Sequence, residues 1–189
     1  YFIFRSFFVE QEIISIIQEG SGNLFHYAVW KNQSQENVEF FWLKIQNLIK
    51  NREKLKEFLM AKNQIKSNAL QLSSSVPDHF SFNFIFEKVF CEFFELKEFI
   101  YETNVKEENF YQTLACFSSL SMLESATNHL KKRLSRNKLK AFIKIGGPKS
   151  QNIFHYAAMN FECENGEKFL QDLIESEFGK DEVKKMLSE

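Results

Sequence analysis

The chain is poor in the residues that make tight turns. Its 189 residues include only 6 Gly and 2 Pro, which excludes collagen-like sequence and argues against turn-rich β-sandwiches and flexible linkers. The 24 Lys and Arg are balanced by 25 Asp and Glu, so a strongly basic nucleic-acid binder and an acidic disordered tail are not the default interpretations. With 44% hydrophobic residues and no apolar run of the roughly 18–20 residues that span a membrane, an ordered and mostly helical soluble protein is expected.

The three cysteines predict neither a disulfide framework nor a metal site. Cys91, Cys116 and Cys163 are widely spaced and form no Cys-x-x-Cys pair, so reduced thiols and an intracellular location, cytoplasmic or nuclear, are expected. No catalytic constellation is recognisable either, and we expect a protein without enzymatic activity, cofactor or metal. Residues 1–8 lack the layout of a signal peptide. The chain begins without Met, and we expect it to be a fragment of a longer protein.

A six-residue motif beginning with Asn recurs along the chain. It occupies residues 23–28, 68–73, 109–114 and 152–157. A second motif, Leu-Lys-x-Phe, begins 13 residues before each of the last three copies, at Leu55, Leu96 and Leu139. Residues 10–14 are a degenerate copy of it, and residues 183–187 begin another. Two motifs that keep one offset indicate internal repeats. We predict units at about 10–54, 55–95, 96–138 and 139–182, with the start of a fifth at 183–189.

Each unit can be read as a short sequence of helices. Asn23, Asn68, Asn109 and Asn152 are suited to cap a helix, because the Asn side-chain oxygen accepts a backbone N–H. A longer amphipathic helix follows, at about 37–49 in the first unit, 120–134 in the third and 167–178 in the fourth. The Leu-Lys-x-Phe motif adds a helical turn, and a polar loop leads to the next Asn. One such unit cannot bury its apolar face alone, so an all-α solenoid is predicted.

The motif resembles the Thr-Pro-Leu-His-x-Ala signature of ankyrin repeats. The resemblance is clearest at residues 23–28 and 152–157, where His26 and His155 occupy the histidine position, while Gln71 and Gln112 replace it in the other copies. The repeat interval here is 41–45 residues, against 33 in ankyrin repeats, so the units would be lengthened. Armadillo and HEAT repeats, with about 40–47 residues, are the alternative, although they do not account for the His-x-Ala placement.

The resemblance implies which positions meet a partner. In ankyrin proteins the repeated histidine is structural, and partners contact the finger loops and the exposed end of the first helix. The helix-end positions transferred in this way are Trp30, Lys31, Ser75, Val76, Cys116, Phe117, Met159 and Asn160. The finger positions include Ile65, Val105, Lys106, Lys149 and Gln151. Trp30, Phe117 and Met159 are apolar where solvent is expected, which suggests a partner-binding strip; burial between repeats is the alternative.

One segment is locally basic. Six cations and no acid lie in ten residues, namely Lys131, Lys132, Arg133, Arg136, Lys138 and Lys140. A solvated helix face is the simplest explanation, and anion binding is the functional one.

The principal functional hypothesis is therefore a non-catalytic module that binds another protein through the concave face and finger loops. Nucleic acid or an anionic surface on the basic segment is one alternative. A regulatory or targeting segment of a larger enzyme, toxin, effector or channel is the other. Natural repeat arrays end in polar caps. A fragment cut from such an array would expose the apolar surface between repeats, so self-association through exposed repeat ends is also expected.

Overall fold

The computed structural model describes residues 22–31, 34–76, 79–160 and 165–188. Within these residues all regular secondary structure is helical, which confirms the predicted all-α class. The α-helices are Leu24–Lys31 (α1), Gln35–Leu48 (α2), Arg52–Met60 (α3), Ala69–Ser73 (α4), His79–Asn83 (α5), Cys91–Phe93 (α6), Phe110–Phe117 (α7), Leu120–Arg133 (α8), Arg136–Ile143 (α9), Ile153–Ala158 (α10), Gly166–Phe178 (α11) and Lys180–Leu187 (α12). A π-helical segment, Phe84–Phe90, joins α5 to α6, and 3-10 turns occupy Leu96–Glu98 and Pro148–Ser150. The degenerate motif at residues 10–14 and Cys163 lie outside the described residues.

The helices form two packed layers. The short helices α1, α4, α7 and α10, which follow the four Asn motifs, pack against one another in chain order. The helices α2, α5, α8 and α11 do the same, α5 being lengthened by the π-helical segment that follows it, and each short helix also packs on the next helix of this second layer. Apolar side chains from both layers are thereby removed from water, which is the main driving force for such packing.

Phenylalanine rings fill the core from the second unit to the fourth. The ring of Phe86 lies 5.4 Å from that of Phe110, which in turn lies 6.1 Å from Phe142. Phe99 also contacts Phe86, at 6.1 Å. All four side chains are fully buried. Aromatic pairs at these separations contribute about 0.5–1.5 kcal/mol each beyond the area that they bury, so these rings join the second, third and fourth units.

The four Asn residues cap the short helices. The Oδ1 atom of Asn109 accepts hydrogen bonds from the backbone N–H groups of Tyr111 and Gln112 at 3.0 Å. In return, the Oε1 atom of Gln112 accepts a hydrogen bond from the Asn109 N–H. This is a capping box, and it recurs at Asn68 and Asn152. Because all these groups are buried, the caps satisfy backbone donors that water cannot reach.

A histidine or a glutamine side chain bonds both the Asn of its own motif and a backbone carbonyl of the next unit. His26 accepts the Asn23 N–H through Nδ1, and its Nε2 lies 3.0 Å from the carbonyl oxygen of Ser67 in the next finger loop. Gln71 accepts the Asn68 N–H through Oε1 and donates from Nε2 to the Glu102 carbonyl at 2.7 Å. Gln112 likewise donates to the Ile145 carbonyl at 2.9 Å. The two weaker motif copies therefore also bond to the next unit, but their carbonyl acceptors precede the next Asn by seven residues, whereas that of His26 precedes it by one.

The second unit departs from the first and the fourth. Asn23 Nδ2 donates to the Phe58 carbonyl at 2.8 Å, and Asn152 Nδ2 donates to the equivalent Met186 carbonyl. The buried Asn68 Nδ2 has no partner in the described part of the chain. Its equivalent acceptor, the Phe99 carbonyl, follows a 3-10 turn instead of lying in an α-helix, and it accepts the Glu102 N–H.

Candidate functional site

The finger loops are tight turns with one recurring geometry. The first (residues 62–67) is closed by a bond from Asn63 N–H to the Ser67 carbonyl, and the second (103–108) by one from Asn104 N–H to the Glu108 carbonyl. The Oδ1 atoms of Asn63 and Asn104 each accept two further backbone N–H groups across their loops. The third loop (146–151) is closed between Gly147 and Gln151. These internal bonds hold each loop in a defined conformation.

The first two finger loops are joined at their tips. The Val105 N–H donates to the Ile65 carbonyl at 2.9 Å. Lys62 adds an ion pair to Glu102 at 2.7 Å and a hydrogen bond to the Thr103 carbonyl at 3.1 Å. The side chains of Ile65 and Val105 are about half exposed. Neighbouring apolar tips therefore point into solvent from loops that support each other.

The second finger loop also contacts the end of a short helix. The Lys106 Nζ atom lies over the ring of Phe117, 5.8 Å from its centroid. Phe117 is the last residue of α7 and is 42% exposed. A cation over an aromatic face is attracted by the ring quadrupole, by about 0.5–1 kcal/mol at exposed sites. This contact places a positive charge beside an exposed apolar ring.

Asn160 brings the ends of α7 and α10 together. Its Nδ2 atom donates to the carbonyls of Ala115 and Ser118, at 3.1 and 2.8 Å. These carbonyls lie on either side of Phe117 in the chain, and Met159, which is 41% exposed, precedes Asn160. We call the set Ile65, Val105, Lys106, Phe117 and Met159 the exposed row. Its members are linked one to the next from the first finger loop to the fourth unit.

Two of the predicted partner-binding residues are not at the surface, which corrects that prediction. Cys116 and Asn160 are both buried, at 8% exposure, and burial raises the pKa of the Cys116 thiol. Cys116 packs inward because α7 continues for one more residue, to Phe117, and Asn160 turns inward to bond the end of α7. Gln151 is partly buried. For Lys31 and Lys149 the structure describes the backbone and not the side chain.

Trp30 is exposed as the resemblance implied. It lies one residue before the end of α1 and is 56% exposed. Trp30 and Met159 each follow the Asn of their motif by seven residues. Together with Phe117, they show that the apolar helix ends of these units are not buried between repeats.

Three of the six cations in the basic segment bond to the fourth unit. Lys131 pairs with the Glu177 carboxylate, and Arg136 donates from Nε to the Glu177 carbonyl. Lys140 pairs with Glu182 at 2.6 Å. Lys140 and Lys144 together lower the pKa of Glu182 to about 2 by hydrogen bonding to its carboxylate. Lys132, Arg133 and Lys138 are exposed, and Arg133 and Lys138 line a cleft whose other wall is formed by residues 91–101. The sequence could not show which of these cations are paired, because the neutralising acids lie about 40 residues further along the chain.

Metal-ligating side chains do not come together in the described residues. No group of three or more His, Cys, Asp or Glu in these parts of the chain could hold a metal ion. His129 pairs with Glu87 and packs edge-on against Phe86 at 5.7 Å. Across the same residues, no helix has the length and apolar character needed to cross a membrane.

Comparison with known proteins adds no family. No family model matches the chain, and neither a curated protein nor a solved structure is detectably similar to it.

Proposed function

We propose that the chain is a protein-interaction module made of four stacked, ankyrin-like repeat units, and that it binds a partner protein through the exposed row. In this proposal the chain binds its partner and catalyses no reaction. Support for ankyrin-like units comes from the Asn caps, the recurring finger-loop turns and the bonds that His26, Gln71 and Gln112 make to the following unit. Armadillo and HEAT units provide no reason for a histidine or glutamine at that position.

The observation that carries the proposal is the continuity of the exposed row. Val105 bonds Ile65, Lys106 lies over Phe117, and Asn160 ties Met159 to the end of α7. Scattered apolar residues are common on protein surfaces, but contiguous ones supported by ordered loops are typical of interaction sites. The aromatic ring with a cation beside it is suited to act as an interface anchor.

The experiment is affinity enrichment from the cells that naturally make the protein. Wild type, Phe117→Glu/Met159→Glu and a control variant, Phe40→Glu/Leu43→Glu, serve as baits. The control is closely matched, because Phe40 is 44% exposed and has Lys44 over its ring at 5.4 Å. A protein held by wild type and control and lost from the row variant supports the proposal.

The retained protein is then produced pure, and its affinity is measured by calorimetry. Loss of an interface anchor costs about 2 kcal/mol or more, so the row variant is expected to bind at least about 30-fold more weakly. Equal binding by all three proteins would show that the row is not an interface.

A further inference from the structure

A cleft lies between residues 91–101 on one side and the end of α8 and the start of α9 on the other. Its volume is about 440 Å³. Three cations line it from different parts of the chain: Lys97 from the 3-10 turn, Arg133 from the end of α8 and Lys138 from α9. Glu95 is the one carboxylate among the residues that line it, and it pairs with Lys97 at 2.7 Å, so Arg133 and Lys138 supply the excess charge. The cleft therefore carries an excess of positive charge.

Arg133 lies beside a partly buried cysteine, Cys91. Burial raises the pKa of the Cys91 thiol, and the neighbouring Arg133 guanidinium only partly offsets this effect. A neutral thiol leaves the charge of the guanidinium uncompensated. Arginine carries five N–H donors in a planar fork, so this one contact leaves donors for a second group in the cleft.

The cleft also has apolar walls. Leu96 and Leu134 line it and are partly exposed, and the buried Ile100 lies behind them. Tyr101 stands at its edge, half exposed, with its ring held edge-on against Phe142 at 5.8 Å. A ligand in this cleft would meet charge at one side and hydrocarbon at the other.

We propose that this cleft binds a phosphate monoester on a side chain of a partner protein. Such a group carries about −1.5 to −2 charges near neutral pH, which suits three cations opposed by one carboxylate. The apolar walls suit the residues that flank the phosphorylated side chain. Nucleic acid fits less well, because Lys131, Arg136 and Lys140 of the basic segment are occupied by the fourth unit. The cleft is separate from the exposed row, so the proposal does not depend on the function proposed above.

The test is a titration of the ¹⁵N-labelled chain followed by nuclear magnetic resonance. The probes are a blocked Leu-phosphoserine-Leu peptide, the same peptide with serine, and inorganic phosphate. The phosphopeptide is expected to shift the amide signals of Lys97, Tyr101 and Arg133 saturably, and to bind several-fold more tightly than inorganic phosphate. Equal binding of both peptides, or no saturable shift, would overturn the proposal. Equal affinity for inorganic phosphate would overturn the assignment to a peptide.

Charge-reversal variants distinguish phosphopeptide binding in this cleft from a general effect of the chain's positive charge. Arg133→Glu/Lys138→Glu is expected to weaken phosphopeptide binding by about tenfold or more, since each charge-assisted bond is strong. Lys184→Glu/Lys185→Glu reverses two exposed charges on α12 and is expected to change the affinity by less than about twofold, because screening weakens distant charges. Glu95→Gln removes the opposing carboxylate and should tighten binding. Thermal melting checks that every variant is folded. A similar loss in both double variants would contradict the proposal.

Discussion

The Nε2 atom of His26 lies 3.0 Å from the backbone carbonyl oxygen of Ser67, 41 residues further along the chain. Since a carbonyl oxygen can only accept, Nε2 carries the ring proton and Nδ1 accepts the Asn23 N–H. One buried side chain thus caps its own helix and holds the finger loop of the next unit. Gln71 and Gln112 have an acceptor and a donor at corresponding positions.

Replacement of His26 by glutamine is predicted to remove a pH dependence of stability. Burial lowers the pKa of His26 below its ordinary value of 6.5, so the unfolded chain takes up this proton more readily. Full stability is therefore present above pH 6.5 and falls as the pH drops from 6.5 toward the lowered pKa. His26→Gln should fold as wild type does at pH 7.5 and lose less stability at pH 5.5.

Urea denaturation at the two pH values measures this difference. His155→Gln is the control, because the side chain of His155 is exposed at the equivalent position. It should leave most of the pH dependence in place. An unchanged pH dependence in His26→Gln would show that the buried imidazole is not its source.

The Asn109 cap is predicted to be more important than an exposed cap of the same kind. Asn109→Ala leaves the buried N–H groups of Tyr111 and Gln112 without their acceptor. Loss of such a cap costs about 0.5–2 kcal/mol, and we expect the upper end of that range. Asn51→Ala, which removes one exposed bond to the Lys54 N–H, should cost clearly less in urea denaturation. Equal costs would contradict the role given to burial.

Gly147 and Tyr156 are predicted to be energetically coupled. A Cβ atom at position 147 would lie 1.9 Å from the Tyr156 hydroxyl oxygen and 2.9 Å from the ring carbon that bears it. Gly147→Ala should therefore cost about 1–3 kcal/mol, as overpacking does. The Tyr156 hydroxyl is buried without a partner in the described residues, so Tyr156→Phe should be tolerated and should relieve part of this clash. A double-mutant cycle in urea measures the coupling; additive costs would contradict it.

Glu182 is predicted to make the chain sensitive to acid. Its pKa is lowered to about 2 by hydrogen bonds from Lys140 and Lys144, below its ordinary value of 4.5. The resulting stabilisation is present above pH 4.5 and is lost as the pH falls toward 2. Glu182→Gln should flatten the fall in melting temperature across this range. Asp181→Asn, at the exposed neighbouring position, should not, and equal flattening would contradict the assignment.

Much of the local structure followed from the sequence, and long-range contacts did not. Helix α11 was expected at 167–178 and spans Gly166–Phe178, because apolar spacing and capping are local signals. The chemical equivalence of Gln71 to His26 could have been recognised from the atoms of the two side chains. The inward turn of Asn160 depends on carbonyls 42 and 45 residues away, which no local pattern shows. The π-helical segment Phe84–Phe90 had no recognisable signal.

The most direct test of the proposed function uses a photo-crosslinking amino acid in the chain. Benzoylphenylalanine is placed at position 117 in the exposed row, or at position 40 on α2 as the matched site. The account predicts that irradiation in the native cells attaches one dominant protein at position 117 and not at position 40. The same products at both positions, or none at position 117, would contradict the claim that the exposed row binds a partner.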